Sequence, residues 1–584
     1  MAFWTLISPA WVMFAGAVLL GIFGSNMKVR HMLVLGTPVL VLCHVWMLAS
    51  KATPSQVIYE VASFELLPVT MHDYTLIFAT IFSIAAFAGG LFGLLQSKRI
   101  ELVSAFIYAG SAIGVTFSGD LISLFIYWEL MALGSTLVIM VSNHEHAKAA
   151  ALRYAYMHLL GGVLLMVGII AYMTLYDTAA ISAFIADTHA LFDFHLTDLH
   201  TIAMWLMLLG ILVNAAAPPF SAWLPDAYPV SSPFGAVFLS AFTTKTAVFV
   251  LLTLFAGTQM LVWVGAFMIF YGIIMAILEN DMRRILAYSV INQVGFMITG
   301  IGIGTELALH GVAAHAFCHI IYKALLFMSA GSVLFMTGKS RCSDLGGLYH
   351  SMKLTAVCGI IGALAISAFP LTSGFVSKSL ITSAAANQHM QVIWFLLVAA
   401  SAGVFLHAGI KFPWFVFFQK DSGMRPEEPP LNMRLAMLFF AALCIIPAIP
   451  GVAEHTLYAM LPQPEHYEAY TYGHVVTQLQ LLLFSGLAFF AMLPLLKRTE
   501  TISLDVDWMY RKLVPCVVSC LILRPYSMLA TPVALVAKRL VGWSQAGIFA
   551  MYHPQSVMLR SWSIGLSALW VAVLLCGWLL FHYL

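Results

Sequence analysis

The chain of 584 residues is 61% hydrophobic and 9% charged, with a mean hydropathy of +0.94 and a net charge of +2. Soluble domains carry roughly 25% charged residues, so this composition excludes an ordinary soluble protein, and no basic patch of the kind that holds nucleic acid is visible. The chain reads as an all-α polytopic membrane protein.

Crossing a hydrocarbon core of roughly 30 Å takes about 20 apolar residues in a helix, and about 14 to 16 such stretches follow one another here. Helices are predicted near 3–23, 31–49, 73–96, 100–117, 119–142, 150–176, 200–229, 231–256, 259–278, 284–303, 306–337, 353–386, 391–418, 433–449, 475–495 and 561–582. The first has neither a basic stretch ahead of it nor an A-x-A-like cleavage site, and so reads as a retained helix. Basic residues fall in alternate loops, at Lys28 and Arg30, Lys98 and Arg99, Lys148 and Arg153, Arg283 and Arg284, Lys339 and Arg341, Lys420 and Arg425, and Lys497 and Arg498. Residues 177–200 and 450–474 hold acidic groups and no Lys or Arg. The basic side is expected to be cytoplasmic, which puts the N-terminus outside a bacterial inner membrane.

Several stretches break the pattern. "NAAAPPFSAWLPDAYP" (214–229) places Pro218 and Pro219 at membrane depth, "HAGIKFPWFVFF" (407–418) places Pro413 two residues after Lys411, and "AFPLTSGF" (368–375) is a third interruption. A proline in a spanning helix frees backbone carbonyls that only protein or water can satisfy. Paired interruptions in two halves mark transporters built from inverted repeats. Pro218, Pro219 and Pro413 are the predicted hinges. Residues 499–560 mix apolar runs with Arg524, Lys538, Arg539 and Arg560; they read either as an interfacial or lateral helical arm or as a pair of tilted helices.

An ionisable side chain at bilayer depth costs at least roughly 2.5 to 3.5 kcal/mol, so each one is a candidate for function. Glu129 lies in "SLFIYWELMALGSTLVIMV", Lys245 in "FLSAFTTKTAVFVLLTLF", Lys378 in "SGFVSKSLI" and Lys411 in the second interruption. His315, His319 and Lys323 step by four residues through "HAFCHIIYKALLF", which puts them on one stripe of a helix. Histidine exchanges protons near neutral pH, and a buried lysine can carry a proton rather than a fixed charge. Other motifs fail. "TGKS" (337–340) lacks the glycine spacing of a phosphate loop, and His144 with His146 sits at a membrane edge. The eight cysteines form no C-x-x-C pair and read as small core residues. No metal site, cofactor site or nucleophile constellation is read.

Together, "GDLISLFIYWELM", "FSAWLPDAYP", "FTTKTAVFVLL", "ENDMRRILAYSVINQVGFM", "HAFCHIIYKALLFMSAGSV" and "FPLTSGFVSKSLI" resemble the antiporter-like subunits shared by respiratory complex I and the Mrp cation/proton antiporters, closest in flavour to the D-type Mrp subunits. The resemblance spans roughly residues 70–430. It implies two inverted five-helix repeats, each with a discontinuous helix, and a hydrated axis of charge along the membrane midplane. It matches Glu129 to the family's glutamate, Lys245 to the central lysine, His315 and His319 to the histidines of the second half, and Lys411 to the lysine of the second broken helix. One position departs: where the family has a lysine opening K-A-A-x-x-P, this chain has Asn214, which cannot carry a proton charge at neutral pH. Either Lys245 becomes the partner of Glu129, or this half serves coupling or sodium coordination.

The expected organisation is therefore N-terminal helices (1–98), a first repeat (99–256), a second repeat (257–420), additional helices (421–498) and an arm with a final helix (499–584). The expected function is proton translocation in a multisubunit sodium/proton antiporter, with other membrane subunits, the lipid bilayer, protons and Na+ as partners, and no enzyme activity of its own. The rivals are an antiporter-like arm of a complex I-type machine or a membrane-bound hydrogenase, the membrane partner of an inorganic-carbon uptake system, and a scaffold with a dead path.

Overall fold

The computed structural model describes residues 7–50, 59–61, 64–188, 198–462, 467–494, 505, 508–551 and 564–583. It divides into two compact units, Met1–Val506 and Asp507–Leu584. Among the described residues, thirteen helices are long and apolar enough to cross a membrane, and Pro9–Phe23, Leu199–Asn214 and Lys353–Ile366 are shorter apolar helices. This is a multi-pass membrane protein.

The first unit opens with α1 (Pro9–Phe23), α2 (Met27–Ala49), a small antiparallel hairpin of β1 (Tyr59–Val61) and β2 (Phe64–Leu66), and α3 (Thr75–Gly93). A first repeat follows: α4 (Arg99–Phe117), α5 (Leu121–Met140), α6 (Ala147–Tyr176), the short α7 (Ile181–Thr188), a discontinuous span made of α8 (Leu199–Asn214) and α9 (Trp223–Val230), and a last span split at Phe242 into α10 (Pro233–Ala241) and α11 (Thr243–Leu254). The second repeat has the same order: α12 (Met260–Leu278), α13 (Met282–Ile303), α14 (Glu306–Thr337), a discontinuous span made of α15 (Lys353–Ile366) and α16 (Ser373–Asn387), and α17 (Gln391–Val404) with its continuation. Five spans are an odd number, so each repeat ends on the opposite side from its start and the second is inverted. α18 (Leu431–Ile445) and α19 (Tyr472–Met492) complete the unit.

The repeats agree in local detail. Asp120 caps α5 by accepting from Ser123 N at 2.7 Å, and Asp281 caps α13 by accepting from Arg283 N at 2.8 Å and Arg284 N at 3.0 Å, which satisfies amides that the first turn leaves open. The same two aspartates form isolated bridges, Asp120 with Ala180 and Asp281 with Arg341, and close loops of equal length. α6 and α14 both end on a left-handed residue, Asp177 and Gly338.

The discontinuities match as well. Ala216 and Ala368 have φ of 59° and 56°, a conformation that costs an L-residue roughly 1–2 kcal/mol. Around them Ala217 N reaches back to Leu212 O at 3.0 Å, as Phe369 N does to Leu364 O at 3.0 Å. A proline follows each (Pro218, Pro370) and supplies no N–H to rebuild the ladder.

One expectation is corrected. The second break lies at 367–372, between α15 and α16, and the hinge assigned to Pro413 is absent. Residues Gln391–Phe418 run as one apolar helix, wound more widely over Phe405–Lys411 and Trp414–Phe418 with Pro413 between them. The wider turn, seen in Gln419 N bonding Trp414 O at 2.8 Å, gives the proline ring room that an α-turn denies. The interruption at Phe242 was also not expected from the sequence, which reads 231–256 as one helix.

In the second unit, Met509–Leu513, Val514–Val518, Ser519–Leu523 and Arg524–Met551 form one helical run, followed by Ile564–Tyr583. At 1.5 Å per residue the run is on the order of 65 Å long, twice the roughly 30 Å of a bilayer core, so it is not a pair of spanning helices. Of the arm read over 499–560, residues 499–504, 506, 507 and 552–560, Arg560 among them, lie outside the described residues. Cys318, Cys342, Cys358 and Cys444 are buried as read, whereas Cys43, Cys516, Cys520 and Cys576 are exposed.

Candidate proton path

α13 and α14 form the centre of the second repeat. His315, His319 and Lys323 all lie on the buried side of α14. The Lys323 ammonium donates to Ser289 Oγ on α13 at 2.8 Å. His315 lies between α13 and α16: its Nε2 is 3.2 Å from Gln293 Oε1 and its Nδ1 is 3.1 Å from Ser377 Oγ. A carbonyl oxygen only accepts, so Nε2 is the nitrogen that carries hydrogen. Tyr322 also donates to Gln293 Oε1, at 3.1 Å. The ring of His319 lies 6.2 Å from that of His315 and 5.3 Å from that of Tyr322, and neither of its nitrogens has a protein partner.

The remaining lysines are held by backbone carbonyls freed at helix ends or interruptions. Lys245 donates to Ser240 O at 2.6 Å, next to the split at Phe242, and to Thr244 Oγ1 at 3.1 Å. Lys378 reaches back across the second break to Ile366 O, the last residue of α15, at 2.8 Å, and lies 5.5 Å from the ring centre of Phe296. Lys411 caps the C-terminus of α12 through Ala276 O, Ile277 O and Glu279 O at 3.2, 2.6 and 2.5 Å. The negative end of a helix is a fitting place for a cation that has no carboxylate.

These groups form one electrostatic neighbourhood. Lys245, Lys323 and Lys378 all act on His319. Lys245 and Lys378 act on His315 and on Lys323. Lys323, Lys378 and Lys411 act on His407, whose Nδ1 bonds Gly403 O at 2.8 Å and whose Nε2 is unpartnered. His407 was missed from sequence. Its signal was its place four residues before Lys411 in an apolar run.

Two expectations about these residues change. Lys411 belongs to a continuous helix, and the lysine that spans the second break is Lys378. Lys245 does not pair with Glu129, because its ammonium is engaged by Ser240 and Thr244. Glu129 instead lies against α6 with Oε1 at the bare face of Gly162 and without a partner. It is only partly buried, between the outward-facing Ile126 and Leu133 of α5. Asn214 ends α8, is fully buried, and has no partner at either side-chain atom.

Residues 118–404 match the family described as NADH:quinone oxidoreductase/Mrp antiporter, TM. The A/B component of a probable K(+)/H(+) antiporter of Rhizobium meliloti is 31% identical over 59% of this chain and 35% of its own length. The chain spans between a third and a half of the length of the first curated relatives it matches. In fold it is similar to a chain of the Mrp complex from Dietzia sp. DQ12-45-1b, with a TM-score of 0.69, 18% identity and coverage of 84% of this chain and 99% of that one. It is similar also to a chain of the archaeal membrane-bound sulfane sulfur reductase, with a TM-score of 0.72, 20% identity and coverage of 98% and 100%.

Proposed function

We propose, from the match of residues 118–404 to the family described as NADH:quinone oxidoreductase/Mrp antiporter, TM, that the chain carries protons across a bacterial inner membrane in exchange for sodium or another monovalent cation. One observation carries the reading. His315, His319, Lys323 and His407 lie buried in the helical core within electrostatic reach of two or more of the lysines Lys245, Lys323, Lys378 and Lys411, and the hydrogen bonds of these groups go to neutral acceptors. Like charges this close limit how many protons the row can hold, so a proton entering at one end favours release at the other. A water thread beside the row would let each group hand its proton on.

The chain is a transport subunit in this reading, with the repeats 99–256 and 257–420 as its working halves, the N-terminus outside, and other membrane subunits beside it. The arm at 499–584 is read as the piece that clasps a neighbour. Na+ is the proposed counter-ion. The test is the purified assembly in proteoliposomes with a pH-sensitive dye. A sodium pulse should drive proton flux that Lys245→Ala, Lys323→Ala and Glu129→Gln each reduce; undiminished flux in all three would reject the reading.

A second reading is an antiporter-like arm of a redox-driven complex. It is favoured by the likeness to the sulfane sulfur reductase chain over 98% of this chain, the second unit included. Co-purifying redox subunits, and flux that needs an electron donor and ignores a sodium pulse, would select it.

A further inference from the structure

The two repeats share a scaffold, so residues can be compared place by place. His158 follows the capping Asp120 by as many residues as His319 follows Asp281, and precedes the left-handed Asp177 by as many as His319 precedes Gly338. His158 is therefore the first repeat's counterpart of His319. Both are buried. One turn later, where the second repeat has Lys323, the first has Gly162, and the carboxylate of Glu129 reaches in from α5 to the face that this glycine leaves open.

The chemistry of the ring is set by its own helix. His158 Nδ1 is 2.9 Å from Tyr154 O, four residues back. That carbonyl accepts, so Nδ1 carries the hydrogen and the neutral ring presents a bare lone pair at Nε2. Nε2 is buried and has no partner. The ring stacks on Tyr154 at 3.9 Å and meets Trp223 edge-on at 4.6 Å. Trp223 Nε1 in turn donates to Val213 O at 3.0 Å, which places the imidazole beside the first break, where Asn214 sits with both side-chain atoms unpartnered. Asn214 Oδ1 faces Gly161, next to the glycine that faces Glu129. Buried polar atoms are nearly always bonded to protein or to water. An amide and a carboxylate oxygen are left open at two adjacent glycines of α6, and the bare lone pair belongs to the residue one turn before Gly162 on the same helix; polar atoms left open in this way suit water.

We infer that His158 is the proton carrier of the first repeat, exchanging its proton with Glu129 on one side and with water at the Asn214 break on the other. In the step, the Glu129 O–H bond breaks, an Nε2–H bond forms, directly or through one water, and the carboxylate and imidazolium so produced stabilise each other. Loss of the proton from Nε2 toward Asn214 returns the ring to its neutral form. The inference rests on the proposed function and locates the first half's conduction at a residue outside the row described above.

The test uses the complete assembly in proteoliposomes, with a native gel to confirm assembly. His158→Gln should assemble and lose proton flux as far as Glu129→Gln does. Adding Asn214→Lys to His158→Gln should return flux, because an ammonium at the break supplies another proton carrier; a merely structural imidazole would not be replaced in this way. If His158→Gln fails to assemble, His158→Asn, smaller and also unable to titrate, is read in the same way. Wild-type flux in an assembled His158 variant, or a loss that Asn214→Lys leaves untouched, overturns the inference while the parent reading stands. Wild-type flux in Lys245→Ala, Lys323→Ala and Glu129→Gln alike overturns the parent reading and this inference with it.

Discussion

The first and second repeats are built on one plan and charged on two. Each has a capped second span, a long third span, a broken fourth span with an alanine at positive φ, and a fifth span interrupted or widened near a lysine. Yet the second repeat lines its core with His315, His319, Lys323 and Lys378, whereas the core of the first has the single lysine Lys245 and, on its third span, His158 one turn from a pair of glycines that face Glu129 and Asn214. The broken helix therefore serves as a scaffold for two kinds of site, and what each half does is decided by a few side chains placed on it.

Removing one buried lysine from each half is the harshest test of this contrast. The double variant Lys245→Ala/Lys323→Ala should abolish proton flux while leaving the melting temperature of the assembly unchanged or raised, since each buried ammonium costs roughly 2.5 to 3.5 kcal/mol to hold at that depth. A lower melting temperature would make the two lysines structural. Next in size is Arg283→Met. It removes an arginine that bonds Tyr228 O, Pro229 O, Ser231 O and Ser232 O, and should cost about 3 kcal/mol or more, read as a drop in thermal stability. Gly162→Ala puts a methyl group against the Glu129 carboxylate and should cut flux partly; adding Glu129→Asp, one methylene shorter, should recover some of it. Equal flux in Gly162→Ala and wild type would remove the carboxylate from the first half's site. The smallest effect belongs to Pro413→Ala, which should retain flux because no hinge lies there, while a large loss would restore the break to that helix.

How far the sequence could be read depended on what each residue had to overcome. Glu129, Lys245, His315, His319 and Lys323 stood out because a charge in an apolar run is costly wherever the helix turns, and the structure buries all of them but Glu129 fully. Of the interruptions read from the sequence, those at 214–229 and 368–375 are breaks and the one at Pro413 is not, because a proline only forbids an α-turn. A wider winding accommodates Pro413, whereas at 368–371 the positive φ of Ala368 and Leu371 makes the turn. Asn214 announced a missing lysine, but its consequence was hidden. The residue that stands where the second half has His319 is His158, and a single histidine in an apolar stretch looks the same whether it packs or conducts. Only the equal spacing of the capping aspartates and helix ends reveals it.

Arg283 has a wider meaning. It comes from the second repeat, yet the four carbonyls it grips lie at the end of the first repeat's broken helix and in the turn that follows. A guanidinium buried in such a grip cannot let go during each turnover without stranding its charge in a dry interior. The grip ties the start of α13 in the second repeat to the end of α9 in the first. If the proposed proton transfer is right, a motion that keeps this grip would be a small one: the swing of a lysine, the filling of a gap by water, the arrival of a single proton.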